Sequence, residues 1–268
     1  MRFATGVFLF LAFVTVGFSQ DAGQTSDNSV KVRSLTIVGG DLPDAERQRI
    51  AHSLQGGAYP PDELAERVRQ SLRDLGYCYA RVETPQLSAI DEAPLPHSAN
   101  VSIQVQPGAR YHLGEIRFQG ASLFSSDQLR RQFPIEAGSL FNVTALGKGL
   151  DGLKNLYAEK GYFNFGALPK LEADETRHTV DLTIDFDEGK PCDFGNLILD
   201  GVEPRAGVGK ALLDAWKAVE GKRYSPQLLK MWLAANTWNW PGGAVGLDRA
   251  EPVQNPNPHL VSIRLQFP

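Results

Sequence analysis

The sequence predicts an α+β protein of three tandem β-α-α-β-β units. Each is a two-layer module in which two helices cover one face of a three-stranded mixed sheet. Three observations carry this. A fourteen-residue stretch occurs twice, at Pro107–Gly120 and Glu188–Gly201; its glycines pair as Gly108/Gly189, Gly114/Gly195 and Gly120/Gly201, each 81 residues apart. The apolar pairs Leu113/Phe194, Ile116/Leu197 and Phe118/Leu199 keep the same interval. A more diverged copy, Val32–Gly40, places Gly39 another 81 residues upstream of Gly120. One interval held at so many positions is the mark of a tandem repeat, and about 80 residues is an ordinary size for a small domain.

The divisions expected are a signal peptide at 1–19, a flexible leader at 20–29, and repeats at 30–107, 108–188 and 189–268. In the first repeat Val32–Val38 reads as a strand. Pro43-Asp44 opens a helix through Leu54 that Gly56-Gly57 stops. Pro60-Pro61 opens a second helix, with Leu64, Val68, Leu72 and Leu75 as its apolar stripe. Gly76 ends it, Tyr77–Val82 reads as the next strand, and Val101, Ile103 and Val105 alternate with polar residues as the last.

The second repeat keeps the order. Strand Leu113–Phe118 leads to Ser125-Ser126-Asp127, a helix-start signal, and a short helix stopping near Pro134. A second helix spans about 142–159, Gly161 ends it, and Tyr162–Leu168 reads as a strand. Val180, Leu182, Ile184 and Phe186 alternate with Asp181, Thr183 and Asp185 on the last. The third repeat follows with strand Phe194–Leu199, helices near 208–219 and 226–235, a strand near Val245–Ala250, and a final strand bearing Val261, Ile263, Leu265 and Phe267. Gly57, Gly138 and Gly221 each precede an aromatic residue: Tyr59, Phe141 and Tyr224. The polar alternation of the last strands predicts a solvated second sheet face, and a sheet this small keeps an open edge where another chain can add a strand.

Met1-Arg2 and the apolar run Phe3–Phe18 fit a secretory signal peptide cleaved after Ser19. The other reading is an uncleaved anchor helix, although the run falls short of the ~20 residues a spanning helix needs. Removing Arg2 leaves 26 basic against 31 acidic residues, which argues against nucleic acid as a partner. Gly207-Val208-Gly209-Lys210 is not a phosphate loop, because Pro204 and Ala211 stand where that motif needs Gly and Ser or Thr. His52, His97, His112, His178 and His259 are scattered, with no metal-ligand spacing. Asp181, Asp185 and Asp187 read as a solvated strand face rather than paired acid/base groups. No nucleophile elbow occurs. A non-enzyme without cofactor or small-molecule substrate is expected. Cys78 and Cys192 read as two separately buried thiols, with intermolecular pairing as the alternative.

The stretch Gly108-x-x-Tyr111-x-Leu113-Gly114-x-Ile116-x-Phe118-x-Gly120 resembles the signature joining consecutive POTRA (polypeptide-transport-associated) domains. Gly76-Tyr77 and Gly161-Tyr162 match that family's second landmark; in the third repeat Thr237-Trp238-Asn239-Trp240 stands in its place. Family members usually continue into a membrane barrel, so the chain, which stops at Pro268, resembles a free-standing periplasmic array. The resemblance implies a docking protein for outer-membrane protein assembly or transport. Its partners would be a barrel-assembly protein or unfolded polypeptide, with association at the outer membrane. The family offers its second strand as an edge, here Tyr79, Ala80, Arg81, Val82 and Glu83, and Phe163, Asn164 and Phe165 onward to Leu168. A membrane-anchored envelope or division scaffold, using the modules as spacers, is the alternative. Trp216 and Trp232 read as core. Trp238 and Trp240 either cap the third core or form an exposed aromatic docking pair.

Overall fold

A computed structural model of the chain describes residues 29–88, 91, 97–205, 207–236 and 249–267, together with the backbone of Phe8–Leu9. It divides into two compact units. One comprises Met1–Arg117, Phe133–Gly147 and Lys170–Thr183; the other comprises Phe118–Gln132, Lys148–Pro169 and Ile184–Pro268. The division passes through the middle repeat. The predicted signal peptide and leader lie almost wholly outside the described residues.

The first repeat opens with β1 (Val30–Val38), α1 (Asp44–Leu54) and the two-residue β2 (Ala58–Tyr59). Then come α2 (Pro61–Asp74), β3 (Arg81–Val82), β4 (Gln86–Ser88) and β5 (His97–Gln106). β1 pairs in parallel with β5, while β3 and β4 pair antiparallel with the other side of β5. The first and last strands are thus neighbours and the middle strand lies at the edge. Val32, Leu35 and Ile37 of β1 and Val101, Ile103 and Val105 of β5 pack with Ile50, Leu54, Leu64, Val68 and Leu72 of the helices. α2 shows why: its four buried residues, Leu64, Ala65, Val68 and Leu72, recur at helical spacing.

The middle repeat contains β6 (His112–Gln119), α3 (Ser126–Arg130), α4 (Val143–Ala158), β7 (Gly166–Asp174) and β8 (Thr179–Asp187). Ser125 caps α3 in a capping box with Gln128, as its sequence signal predicts. The strand order is β7-β8-β6, and the backbone of Phe8–Leu9 pairs antiparallel with Leu171 and Glu172 on the outer side of β7.

The third repeat contains β9 (Asp193–Asp200), α5 (Gly207–Trp216), α6 (Pro226–Asn236), β10 (Ala250–Gln254) and β11 (Leu260–Gln266). β9 and β11 are parallel, and β10 is the antiparallel edge. Trp216 and Trp232 are core as expected, edge-on at 4.9 Å. Trp216 Nε1–H donates to the Gly195 carbonyl at 2.8 Å, so its one polar atom is satisfied. One residue departs from the expected solvated sheet face. Ser262, on the predicted polar face of β11, is buried and accepts from Asn255 Nδ2 at 2.7 Å. The third middle strand runs Ala250–Gln254; of the predicted Val245–Ala250, residues 245–248 lie outside the described residues.

The glycine that ends each signature has one structural reason. Gly39, Gly120 and Gly201 have φ of 89°, 78° and 88°. A Cβ on each would stand 2.8, 2.8 and 2.7 Å from the carbonyls of Val105, Phe186 and Phe267, which are themselves 81 residues apart. Both the left-handed backbone and the closeness of the last strand exclude a side chain.

Candidate functional site

The predicted docking residues separate into a turn, a strand and an undescribed segment. Gly76 and Gly161 both have φ 89° and stop α2 and α4 in the same way. The Tyr77 N–H reaches back to the Leu72 carbonyl and the Tyr162 N–H to the Tyr157 carbonyl, at 3.0 and 3.1 Å. This is a Schellman-type ending, in which a left-handed glycine and the residue after it satisfy the last carbonyls. The chain then turns again: Ala80 donates to Tyr77 and Phe165 to Tyr162. Tyr79, Ala80, Phe163, Asn164 and Phe165 therefore lie in turns, and the edge strands begin only at Arg81 and Gly166.

Apart from Asn164, the turn side chains face inward. Ala80 is 7% exposed. The Tyr79 ring meets Tyr111 edge-on at 5.3 Å, and its hydroxyl has no hydrogen-bond partner among the described residues. Burial raises the pKa of both tyrosines. Phe165 stacks on the fully buried Tyr157 at 4.0 Å, and Phe163 packs edge-on against Tyr224 at 5.4 Å. These rings join a repeat to its own core or to the start of the next repeat, so sequence reasoning mistook an aromatic turn for an aromatic strand. Asn164 is exposed. Arg81 and Val82 do pair, with Gln106 and Val105, and the Glu83 N–H donates to the Gln104 carbonyl. Trp238 and Trp240 lie outside the described residues.

β6 and β9 end their sheets on one side, and the middle strand of each repeat is the edge on the other. In the first it is short and interrupted by Pro85 between β3 and β4. In the third it is five residues long and contains Pro252, paired with Ile263. β7 is the longest, nine residues, with Pro169 in it and Leu168 61% exposed. A proline on an edge strand must turn its nitrogen away from the ladder. Alternation then turns the N–H groups of Leu171 and Ala173 outward as well. The Phe8–Leu9 backbone pairs on this outer side, Leu9 opposite Leu171 and Phe8 opposite Glu172.

The two repeat junctions share a plan that the sequence reading did not find. The Tyr111 N–H donates to the Gly76 carbonyl at 2.8 Å, and the Cys192 N–H to the Gly161 carbonyl at 2.7 Å. The carbonyls of Tyr111 and Cys192 accept in turn from Phe141 and Tyr224, the aromatics that follow Gly138 and Gly221. The first junction adds Arg110, which pairs with Glu46 and lies over the Tyr77 ring at 4.9 Å. Cys78 and Cys192 are buried, free thiols. Burial pushes Cys78 up to about 12 and raises Cys192. An open pocket of about 590 Å³ lies beside the first junction, lined among others by Asp74, Phe133, Ile135, Glu136, Leu140 and Asn142. Among the described residues no group of three or more His, Cys, Asp or Glu could hold a metal ion, and no helix is long and apolar enough to cross a membrane.

Residues 111–189 match the family model described as POTRA, surface antigen variable number repeat. The chain is 22% identical over 148 residues to the outer membrane protein assembly factor BamA of Buchnera aphidicola subsp. Acyrthosiphon pisum, covering 52% of this chain and 23% of that protein. It is 27% identical over 92 residues to BamA of Neisseria meningitidis serogroup B, covering 33% and 11%. The matches thus span less than a quarter of the length of these relatives. The crystal structure of POTRA domains 3–5 of Haemophilus influenzae BamA superposes with a TM-score of 0.65 at 19% identity, covering 89% of this chain and 96% of that one. At that identity the likeness is one of fold, and the fold is one of β-α-α-β-β units like those of that structure.

Proposed function

We propose, from a middle repeat that matches the POTRA family model and a fold shared with consecutive POTRA domains, that this chain is a periplasmic, non-enzymatic polypeptide-docking scaffold. It acts in outer-membrane protein assembly, the process named in its relatives, or in transport. Extended polypeptide, or an extended segment of a barrel-assembly partner, adds to the middle-strand edge by antiparallel strand pairing. Backbone hydrogen bonds supply the affinity, so sequence choice is loose. The observation that carries this reading is the outer side of β7 at Lys170–Asp174, where the backbone of Phe8–Leu9 pairs in that manner. The outward N–H groups there are those of Leu171 and Ala173. Pro169 withholds a donor at the neighbouring outward position, which confines capture to this half of the strand.

Ala173→Pro tests the reading. It removes an outward donor and leaves the pairing of β7 with β8 in place. The affinity for an extended peptide with alternating apolar residues should fall about three- to ten-fold, the worth of one backbone hydrogen bond. Glu172→Pro, at an inward position, should instead disrupt the sheet. A folded Ala173→Pro variant that binds as tightly as the parent overturns strand addition at this edge.

A further inference from the structure

Two carboxylates in corresponding places reach out of their own repeats. Asp74 ends α2. Its Oδ1 accepts the Thr144 N–H at 2.9 Å, its Oδ2 accepts the Thr144 hydroxyl at 2.7 Å, and its carbonyl accepts from Asn142 Nδ2 at 3.0 Å. Glu159 directly follows α4. Its Oε1 accepts the Gln227 N–H at 3.0 Å and its Oε2 the Ser225 hydroxyl at 2.6 Å. Thr144 and Gln227 are each the second residue of a helix, α4 and α6. In both junctions a carboxylate at the end of one repeat's second helix therefore caps the second helix of the next.

Two further observations give this contact a direction. Neither α4 nor α6 has an acidic residue in its own first turn, whereas α2, the second helix of the first repeat, has Asp62 and Glu63 there. The negative charge that a helix start favours is thus supplied to α4 and α6 from the preceding repeat. Conversely, a carboxylate at a helix's C-terminal end faces the negative end of that helix's dipole. The carboxylates of Asp74 and Glu159 bring no dipole gain to the helices they terminate.

We propose that Asp74 and Glu159 are inter-repeat latches. Each is a positioning residue that makes the start of the next repeat's second helix depend on the preceding repeat being folded and docked. Consecutive repeats are thereby coupled in pairs, as nearest neighbours are coupled in other repeat proteins. The coupling is independent of whether any edge captures polypeptide.

Amide exchange in the full chain tests this. In Asp74→Ala the Thr144 amide should exchange about five- to ten-fold faster, the effect of losing a capping acceptor, while the Ala145 amide, held by Asn142 Oδ1 at 2.6 Å, should change little. Protection in α2 should be unchanged or higher. Asp74→Asn, which keeps an acceptor, should restore part of the protection. A faster-exchanging α2 with α4 unaffected would mean that Asp74 serves its own helix, and would overturn the proposal. At the second junction Ser225 Oγ also accepts the Leu228 N–H at 3.1 Å, so α6 keeps that cap in Glu159→Ala, and the variant should speed exchange at the Gln227 amide more than at Leu228. An unchanged Gln227 amide would overturn the latch there. Spin labels at the exposed Arg49 and Ala137 should report a broader distance distribution in Asp74→Ala than in the parent, and an unchanged width contradicts the coupling.

Discussion

Replacing Glu188 by alanine probes the densest polar network in the middle repeat. The Glu188 carboxylate accepts the Ser122 N–H at 2.8 Å, the Leu123 N–H at 3.1 Å and the Tyr157 hydroxyl at 2.6 Å, and also bonds the Ser122 hydroxyl. It pins the loop after β6 to the end of β8. Burial works against the charge on Glu188, yet the hydrogen bonds from Ser122, Tyr157 and the Leu123 amide hold its pKa down to about 2. Burial, and then Glu188 itself, raise the pKa of Tyr157. In the variant the Ser122 and Leu123 amides can turn to water, but the Tyr157 ring is fully buried and its hydroxyl is left unpaired. That orphaned group sets the cost, about 1–3 kcal/mol. The sign with pH follows from the depressed carboxylate. Its contribution is complete above the ordinary value of about 4.3 and is lost as pH falls toward about 2. Parent stability should therefore drop across that window, and the drop should be smaller in Glu188→Ala. All four tryptophans lie in the third repeat, so fluorescence would miss the change. Urea unfolding followed by far-ultraviolet circular dichroism, with amide exchange at Tyr157 as a local check, is the suitable assay. An equal pH dependence in parent and variant would refute the assignment of Glu188 as the pin.

Gly201→Ala should destabilise the third repeat by at least about 1–2 kcal/mol, the cost of a left-handed alanine, because its Cβ also meets the Phe267 carbonyl; tryptophan fluorescence during urea unfolding reads it, and an unshifted midpoint would be wrong for this geometry. Cys78 and Cys192 should resist a thiol-specific reagent at pH 8 in the native protein and react fully in urea, since both are covered and both thiols titrate high. Stoichiometric labelling of the native protein would contradict their burial.

The 81-residue interval made the fold legible because each shared position has a structural duty that recurs. The terminal glycines face carbonyls of the last strand that keep the same interval, and the glycine-aromatic pairs before the second helices close the junctions. The middle strands were misplaced for a physical reason. Tyr77–Val82 and Tyr162–Leu168 carry the aromatic and β-branched residues that favour strands. Their first four residues are instead spent on a helix stop and a turn that bury those rings. A glycine followed directly by a large apolar residue was the available signal for such a helix ending. The latches left no local trace, because the cap for Thr144 lies at Asp74 and the cap for Gln227 at Glu159. Only the missing acidic residues in the first turns of α4 and α6 hinted at them. The part of the third edge at Ala250–Gln254 was missed because it contains Pro252, which argues against a strand unless that strand is an edge.

Isotope-edited nuclear magnetic resonance on the full chain, with an extended peptide of alternating apolar residues added, tests the docking account most directly. The account predicts new protection from exchange at the Leu171 and Ala173 amides, and intermolecular contacts in antiparallel register along Lys170–Asp174. Saturable binding that leaves those two amides unprotected, with contacts on the helices instead, would contradict it.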